Sequence, residues 1–434
     1  MEDNTGHGAR RAIEALRSGV PNRDVVKQLG VFQGDVTQKF TELREDTSLA
    51  CQQGDERGRH MVISGGFGSG KSHLLEYLRH QALEHNCVCS YVVVSKETPL
   101  FDLTRLYRSA AETATVPGRA GRAIPEILAR SDEAGLGRFA HLCEWAQNQP
   151  EYQNRFVPLL HILLESTDRD EIVNQIAREW SGYPLKVSRI RTRLKDIGRH
   201  KEYRDLKVAL KELAVQLWSF LPRFFHAAGY NGWVVLFDEV ELMLRYSRMQ
   251  RARSYANIAR LAGKTEGFRI CGLLPVFAIT DDFQGEAEKK GDHDMPEWLR
   301  SDRYLNGPER QLATDVELGM KLLSSPMILR SARSEELEEL KEKLRRLHSR
   351  AFEWDAPPPM AREELTSSSI RQRVKSWITQ WDLALLYPGY RPDITAEKVT
   401  RDYSEDSALT SKDEQEDIAP GWASDAPWPY GSRI

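Results

Sequence analysis

The chain has 434 residues, of which 40% are hydrophobic and 29% charged, and its formal net charge is -3. This length allows about two to four domains with packed cores. The near-balanced charge excludes a global attraction to nucleic acid or anionic lipid, so any such contact must come from a local patch. Five cysteines without a C-x-x-C pair argue against a disulfide framework or a structural zinc site. The polar N-terminus has no apolar signal core, and no run reaches the ~18 apolar residues of a membrane span. We therefore expect a cytoplasmic protein without membrane contact.

The first 58 residues are predicted to form a helical leader. Apolar residues recur at helical spacing over residues 11–18, 23–29 and 34–43, and the polar residues 45–58 are expected to link the leader to an α/β core.

The core begins with an apolar run at residues 60–64, followed directly by the sequence GGFGSGKS and a helical pattern. A strand followed by a glycine-rich loop and a helix is typical of a phosphate-binding loop. Glycines allow backbone N–H groups to approach an anion closely, and the helix directs its positive end toward it. A glycine-rich turn with an accidental Lys-Ser is the alternative reading. The residues predicted to bind the nucleotide are Gly65, Gly66, Phe67, Gly68, Ser69, Gly70, Lys71, Ser72 and His73.

Within this loop, Lys71 is expected to reach the β- and γ-phosphates of ATP and to act in catalysis. The Ser72 hydroxyl is expected to ligate Mg²⁺.

A second apolar run at residues 87–95 predicts another buried parallel strand, and residues 100–228 then form a large, mainly helical insertion. Its last predicted helix covers residues 203–225. Residues 186–207 carry nine basic and three acidic residues. We expect Lys186, Arg189, Arg191 and Arg193 to contact a nucleic-acid backbone, although a solvated helix face or a subunit contact would give the same pattern.

The apolar run at residues 232–237 ends in two carboxylates, Asp238 and Glu239. Burying two acids at the end of a strand is costly unless they have partners. Beside a phosphate-binding loop, Asp238 is expected to hold Mg²⁺, and Glu239 to orient and deprotonate the attacking water. A strand that simply ends at the solvent boundary is the alternative.

Two further strands are predicted at residues 270–280 and 326–329, which brings the expected parallel sheet to five strands. Thr280 could contact the γ-phosphate or merely cap the next turn. Residues 281–310 look irregular and hold several arginines, one of which could act across a subunit boundary. Helices are predicted at residues 334–350 and 369–386, followed by an acidic tail.

The leader sequence RRAIEALRSGVPN and the loop sequence GGFGSGKSHLL together resemble the ATP-binding domain family of bacterial phage-exclusion (BREX) systems. The resemblance implies an AAA+-like (ASCE) P-loop ATPase related to origin-recognition ATPases, with a helical C-terminal lid. It also implies a phage-defence role with partner proteins that include a helicase. It assigns γ-phosphate sensing to Thr280 and nucleotide sensing by the lid to Arg371, and it favours Arg303, then Arg300, as the trans-acting arginine of a homo-oligomer.

Together these observations predict an α/β fold in four parts: the leader 1–58, a P-loop core 59–331, a helical lid 332–390 and a flexible acidic tail 391–434. The expected activity is Mg²⁺-dependent ATP hydrolysis that acts on DNA with other defence proteins. A nucleotide-gated assembly module with slow or no turnover remains the alternative. A small-molecule kinase is disfavoured by the paired Asp-Glu and by the C-terminal helices.

Overall fold

A computed structural model of the protein describes residues 6–18, 23–130, 133–266, 268, 270–301, 309–358 and 369–387. The acidic tail 391–434 and Arg303 lie outside these residues. Within them no helix combines the length and the apolar character needed to cross a membrane.

The centre of the molecule is a five-stranded sheet in which every neighbouring pair is parallel. The order across the sheet is β2-β3-β4-β1-β5. The predicted α/β fold with a parallel five-stranded sheet is therefore confirmed. The strands are β1 (Met61–Ser64), β2 (Val88–Val93), β3 (Trp233–Asp238), β4 (Leu273–Ile279) and β5 (Met327–Ile328).

Both faces of the sheet are covered, as near-continuous apolar strands require. Every residue of β3 and β4 is buried. Successive side chains alternate between the two faces, so that Val234 and Leu236 join one hydrophobic cluster and Val235 and Phe237 join another.

The strand order places a topological switch next to β1. The chain leaves β1 for the distant edge strand β2 and returns through β3 to β4, whereas β5 lies on the other side of β1. Open parallel sheets bind ligands at such a point, beyond the carboxyl ends of the strands. The glycine loop after β1 and the two acids after β3 both lie at this edge.

The leader contains α1 (Gly6–Ser18), α2 (Arg23–Leu29) and α3 (Gly34–Gln53). The expectation that residues 45–58 form a polar link was wrong, because α3 continues to Gln53. Its buried stripe extends through Thr47, Ala50 and Cys51, and Gly54 ends the helix in a left-handed conformation.

The insertion between β2 and β3 is helical, as predicted, and its aromatic residues form the larger hydrophobic cluster on one face of the sheet. The predicted helix 203–225 begins later, at Leu210, after a short helix that carries the basic residues. The helices are α5 (Leu103–Thr113), α6 (Ala123–Ala129), α7 (Glu133–Gln147), α8 (Phe156–Glu165), α9 (Arg169–Trp180), α10 (Val187–Asp196) and α11 (Leu210–Ala227), with a 3₁₀ turn at Pro150–Tyr152.

Within the range 281–310, the described residues 281–301, 309 and 310 are more regular than expected. Buried side chains such as Phe283, Met295 and Leu299 pack the helices of this segment onto the core, which their short, polar-rich sequences did not indicate. After β3 the chain forms 3₁₀ turns at Val240–Arg245 and Asp292–Asp294 and the helices α12 (Arg248–Leu261), α13 (Phe283–Lys289), α14 (Met295–Arg300) and α15 (Glu309–Leu323).

The C-terminal helices α16 (Ser334–Phe352) and α17 (Ile370–Leu386) pack with α1 and α2 around a third hydrophobic cluster. Ala12 and Ile13 of α1 meet Leu344 of α16 and Trp381 of α17 in this cluster. Arg17 donates to Asp382 at 2.9 Å and thereby links the two ends of the chain. The predicted domain boundaries stay a prediction, but the leader and the C-terminal helices share one core.

Candidate nucleotide-binding site

The glycine loop, residues 65–70, joins β1 to α4 (Lys71–Glu84) at the carboxyl edge of the sheet. Gly68 and Gly70 have φ angles of +75° and +101°, a region that side-chain-bearing residues rarely adopt. Gly65 N–H donates to the Ile279 carbonyl of β4 at 3.3 Å, which fixes the start of the loop against the sheet. The loop therefore presents backbone amides around the first turn of α4.

Lys71 lies under this loop with only 8% of its surface exposed. Its Nζ donates to the Gly65 carbonyl at 2.6 Å and to the Gly66 carbonyl at 3.4 Å. Within the described residues the buried Ser69 hydroxyl lacks a hydrogen-bond partner. A buried positive charge, an unsatisfied hydroxyl and a helix N-terminus at one place fit a phosphate group.

The Asp238 carboxylate, which is 4% exposed, receives hydrogen bonds from three donors. Oδ2 accepts from the Ser72 hydroxyl and from the Tyr91 hydroxyl, both at 2.7 Å, and Oδ1 accepts from Glu239 N–H at 2.9 Å. Burial and the neighbouring Asp238 carboxylate raise the pKa of Tyr91 well above its ordinary range, so its hydroxyl stays protonated as a donor.

A divalent cation fits the oxygen atoms of this cluster. Ser72 donates its one proton to Asp238, which leaves its lone pairs available, and a carboxylate offers further acceptor sites. Hard oxygen ligands of this kind suit Mg²⁺, which proteins commonly bind through one or two side chains and substrate phosphates.

Glu239 follows β3 in a left-handed backbone conformation, with φ of 60°, which costs an ordinary residue about 1–2 kcal/mol. It lines the same cavity as the glycine loop. Thr280 follows β4 and is buried, and its carbonyl accepts from the Ser64 hydroxyl of β1 at 3.3 Å. The ends of β1, β3 and β4 thus meet at one place.

Gly66 and Gly68 are both approached closely by side chains from other segments. A Cβ at Gly66 would lie 3.1 Å from an Asp281 carboxylate oxygen, and a Cβ at Gly68 would lie 2.6 Å from the Ser369 hydroxyl. Asp281 therefore adds a negative charge beside the loop.

The start of α17 contacts the glycine loop directly. Arg371 N–H donates to the Gly68 carbonyl at 3.3 Å, and the Arg371 guanidinium lies 5.6 Å from the centre of the Phe67 ring. Both residues line the cavity. His73, on α4, instead bonds the Gly30 carbonyl of the leader through Nε2 at 2.7 Å, and burial lowers its pKa. His73 thus ties the leader to the helix that follows the loop.

The remaining wall of the cavity is mostly apolar and comes from both ends of the chain. Such a wall suits the flat, weakly polar face of a nucleotide base. The leader and the C-terminal helices therefore close over the loop from two sides. The apolar side chains are Ala15, Leu16, Leu29, Val31, Phe32, Leu74, Leu329, Leu340, Ile370 and Val374.

Residues 6–131 and 207–378 match the family described as BREX system ATP-binding protein BrxC/D. The chain belongs to this family. The match confirms the resemblance drawn from the leader and the loop, and it identifies an ATP-binding protein of the BREX system. No curated protein and no solved structure matches the chain.

The matched ranges contain the glycine loop, Asp238, Glu239, Thr280 and Arg371. The segment between them, residues 132–206, contains α10 and most of the basic run. The cavity at the carboxyl edge of the sheet thus belongs to the part of the chain that the family describes, whereas α10 does not.

Two groups of predicted residues lie apart from this cavity or outside the described chain. Arg303 lies outside the described residues, and Arg300 forms an ion pair with Glu317 at 2.9 Å. On α10, Ile190 and Leu194 are buried and Arg189 and Arg191 are exposed, as is Lys186 just before the helix. Arg193 behaves differently, because it forms an ion pair with Glu171 of α9.

The sequence reading missed Tyr91 and the leader residues that line the cavity. Tyr91 carried a usable signal, because a tyrosine within a buried strand needs a partner for its hydroxyl. The leader residues carried none, since nothing in their spacing says that α1 and α2 fold back onto the C-terminal helices.

Proposed function

We propose that this protein binds ATP with Mg²⁺ in the cavity at the carboxyl edge of the sheet and hydrolyses it, as an AAA+-like component of a BREX anti-phage system. One observation carries the proposal. Lys71 and Ser72 after β1 and Asp238 at the end of β3 converge although they are far apart in sequence, and Ser72 and Asp238 are in hydrogen-bond contact at 2.7 Å.

The roles follow from the chemistry of each group. The loop amides and the Lys71 ammonium balance the charge of the β- and γ-phosphates, while Ser72 and Asp238 hold the metal. When bound, Mg²⁺ would neutralise charge on the phosphate oxygens. Glu239 orients a water molecule and accepts its proton as the water attacks the γ-phosphate. Thr280, after β4, senses the γ-phosphate.

The two ends of the chain recognise the rest of the nucleotide. The base lies against the apolar wall formed by the leader and the C-terminal helices. Arg371 exchanges its contact with Phe67 for the phosphates, so that α17 acts as part of a nucleotide-sensing lid. Closing a site excludes water and strengthens the electrostatic contacts inside it.

The same proposal covers the protein's partners. Other BREX proteins, among them a helicase, are the partners implied by the family, and the exposed basic residues of α10 supply a contact to the DNA backbone. A homo-oligomer would bring the trans-acting arginine, Arg303 by our prediction, to a neighbouring site. The setting is cytoplasmic.

Substitution of Glu239 by glutamine tests hydrolysis separately from binding. Glu239→Gln keeps the size of the side chain and removes the base, so we expect turnover to fall by about 100-fold or more while ATP affinity is retained. Steady-state phosphate release, with and without DNA, and equilibrium binding of ATP measure the two quantities.

Glu97→Gln, an exposed acid in the loop after β2, is the matched control and should leave turnover unchanged. Equal turnover in wild type and Glu239→Gln would remove Glu239 from its role. ATP binding by the wild type without turnover under any condition would favour the alternative, a nucleotide-gated assembly module.

A further inference from the structure

Tyr91 lies on β2, the strand next to β3, and points to the face of the sheet that carries Asp238. The register pairs Tyr91 with Leu236 and Val93 with Asp238, so Tyr91 and Asp238 are diagonal neighbours two residues apart along adjacent strands. Side chains at this spacing share one face and lie within reach of each other. The Tyr91 hydroxyl donates to Asp238 Oδ2 at 2.7 Å.

This hydrogen bond completes a set that holds the Asp238 carboxylate in one orientation. The Glu239 N–H fixes Oδ1, and two hydroxyls meet at Oδ2. Ser72 is itself an expected metal ligand, so a bound cation would compete for its oxygen. Tyr91 is a donor that does not depend on the metal, since its hydroxyl reaches the carboxylate from a different strand.

We propose that Tyr91 is a positioning residue that orients the Asp238 carboxylate for the divalent cation accompanying ATP, and so sets the affinity of the site for that cation. The inference rests on the proposed function of the site. Groups that hydrogen-bond to metal-ligating carboxylates or histidines typically change metal affinity by about 10–100-fold when they are removed.

Packing alone does not account for a tyrosine at this position. The ring packs against the hydrophobic cluster on this face of the sheet, where phenylalanine would serve equally well. Burying the additional hydroxyl costs free energy unless it finds a partner. That partner is the carboxylate predicted to bind the metal, which gives the hydroxyl a chemical role.

The test measures nucleotide binding rather than turnover. Wild type, Tyr91→Phe and a control variant are titrated with ATP in EDTA, and then with Mg²⁺ at a fixed ATP concentration, by calorimetry or with a fluorescent ATP analogue. The control is Tyr183→Phe, which also removes a hydroxyl that donates to a carboxylate, that of Glu112 at 2.6 Å, in the insertion.

For Tyr91→Phe we expect the Mg²⁺ concentration at half-saturation to rise about tenfold. ATP affinity in EDTA should stay within about twofold of the wild type, because the hydroxyl contacts neither the loop nor Lys71. Tyr183→Phe should change neither quantity. Retained binding in EDTA also shows that each variant is folded, and thermal unfolding checks any variant that fails to bind.

Two outcomes would overturn the inference. An unchanged Mg²⁺ requirement in Tyr91→Phe would assign the hydroxyl to structure alone, and so would an equal loss of binding with and without Mg²⁺. Failure of the proposed function looks different, because the wild type itself would then bind no ATP or show no effect of Mg²⁺ on binding.

Discussion

The carboxyl edge of the sheet and the basic helix α10 both concentrate charge, but they do so in opposite ways. At the sheet edge, Lys71 at the start of α4 and Asp238 at the end of β3 are more than 160 residues apart in the sequence, and both are buried. On α10 the charges are close in sequence, mostly exposed, and in part neutralised by acids of α9.

The charges at the sheet edge are buried, which costs free energy, whereas most charges of α10 lie in water. Burying Lys71 and Asp238 is unfavourable unless hydrogen bonds or opposite charges compensate them, whereas solvated arginines need no such compensation. The buried charges also lie in the ranges matched by the family, and α10 does not. The proposal of a ligand site at the sheet edge therefore has stronger physical support than the proposal of a DNA contact on α10, and each prediction below tests one side of this contrast.

The largest expected effect is on the free energy of unfolding and comes from a buried ion pair beside the segment that carries α10. Arg155 and Glu179, both buried, form an ion pair at 2.6 Å, and Arg155 also donates to the carbonyls of Leu185 and Leu206, which flank the segment that carries α10. Glu179→Ala leaves the guanidinium buried without its partner, so the free energy of unfolding should fall by about 3–5 kcal/mol. Urea unfolding followed by tryptophan fluorescence measures the loss.

Glu342→Ala is the control for that experiment, because Glu342 makes its ion pairs with Arg345 and Arg346 near the protein surface. Exposed ion pairs contribute about 0–1 kcal/mol. Equal effects of the two substitutions would contradict the distinction between buried and solvated charge.

The next effect is on DNA binding by α10. Replacing both Arg189 and Arg191 with glutamine removes two exposed positive charges, so the slope of log K against log salt should become shallower by about 2. Affinity for a DNA duplex measured from 50 to 200 mM salt checks this. Lys289→Gln, which removes an exposed positive charge on a different helix, serves as the charge control. Unchanged affinity at low salt would assign α10 to a protein contact or to solvent.

A smaller effect should come from His60, which leads into β1. Burial and, to a lesser extent, the charge of Lys264 lower its pKa to about 4. The unfolded chain binds a proton near pH 6.5 and the folded chain does not, so stability is complete above that pH and falls as the pH drops toward 4. Between pH 7 and 5 we expect a loss of about 2 kcal/mol that is absent in His60→Asn, measured by urea unfolding at each pH. An equal pH dependence in both proteins would contradict this assignment.

The smallest expected effect is a difference in DNA binding between two arginines of α10, Arg193 and Arg191. Arg193 is bound to Glu171, and this exposed carboxylate has its pKa lowered by that arginine. Arg193→Gln should therefore change the salt dependence of DNA binding less than Arg191→Gln does, at a stability cost below about 1 kcal/mol. A loss of DNA affinity equal to that of Arg191→Gln would show that Arg193 leaves its ion pair to bind DNA.

Sequence alone was enough for the parts of the fold that local pattern determines. The five strands were predicted from apolar runs, and the loop and the paired acids from residue types at the strand ends. Strand order was not predictable in this way, because apolar runs say nothing about which strands are neighbours. The packing of α1 and α2 with α16 and α17 was not predictable for the same reason, since an amphipathic stripe does not show which helix it will contact.

Side-chain contacts between distant segments were also not predictable from the sequence. Nothing near Asp238 in the sequence indicates Tyr91, and the ion pair that holds Arg193 depends on how α9 and α10 pack. The roles assigned to Glu239, Thr280, Arg303 and Arg371 stay predictions, as does the DNA contact.

Equilibrium binding of ATP to wild type and to Lys71→Ala tests the central claim most directly, with Lys289→Ala as a control for loss of a surface lysine. Losing charge-assisted hydrogen bonds worth about 1.5–3 kcal/mol should weaken ATP binding roughly 10- to 100-fold in Lys71→Ala and leave the control unchanged. Equal affinity in all three proteins, or no binding by the wild type, would contradict the assignment of the loop to phosphate.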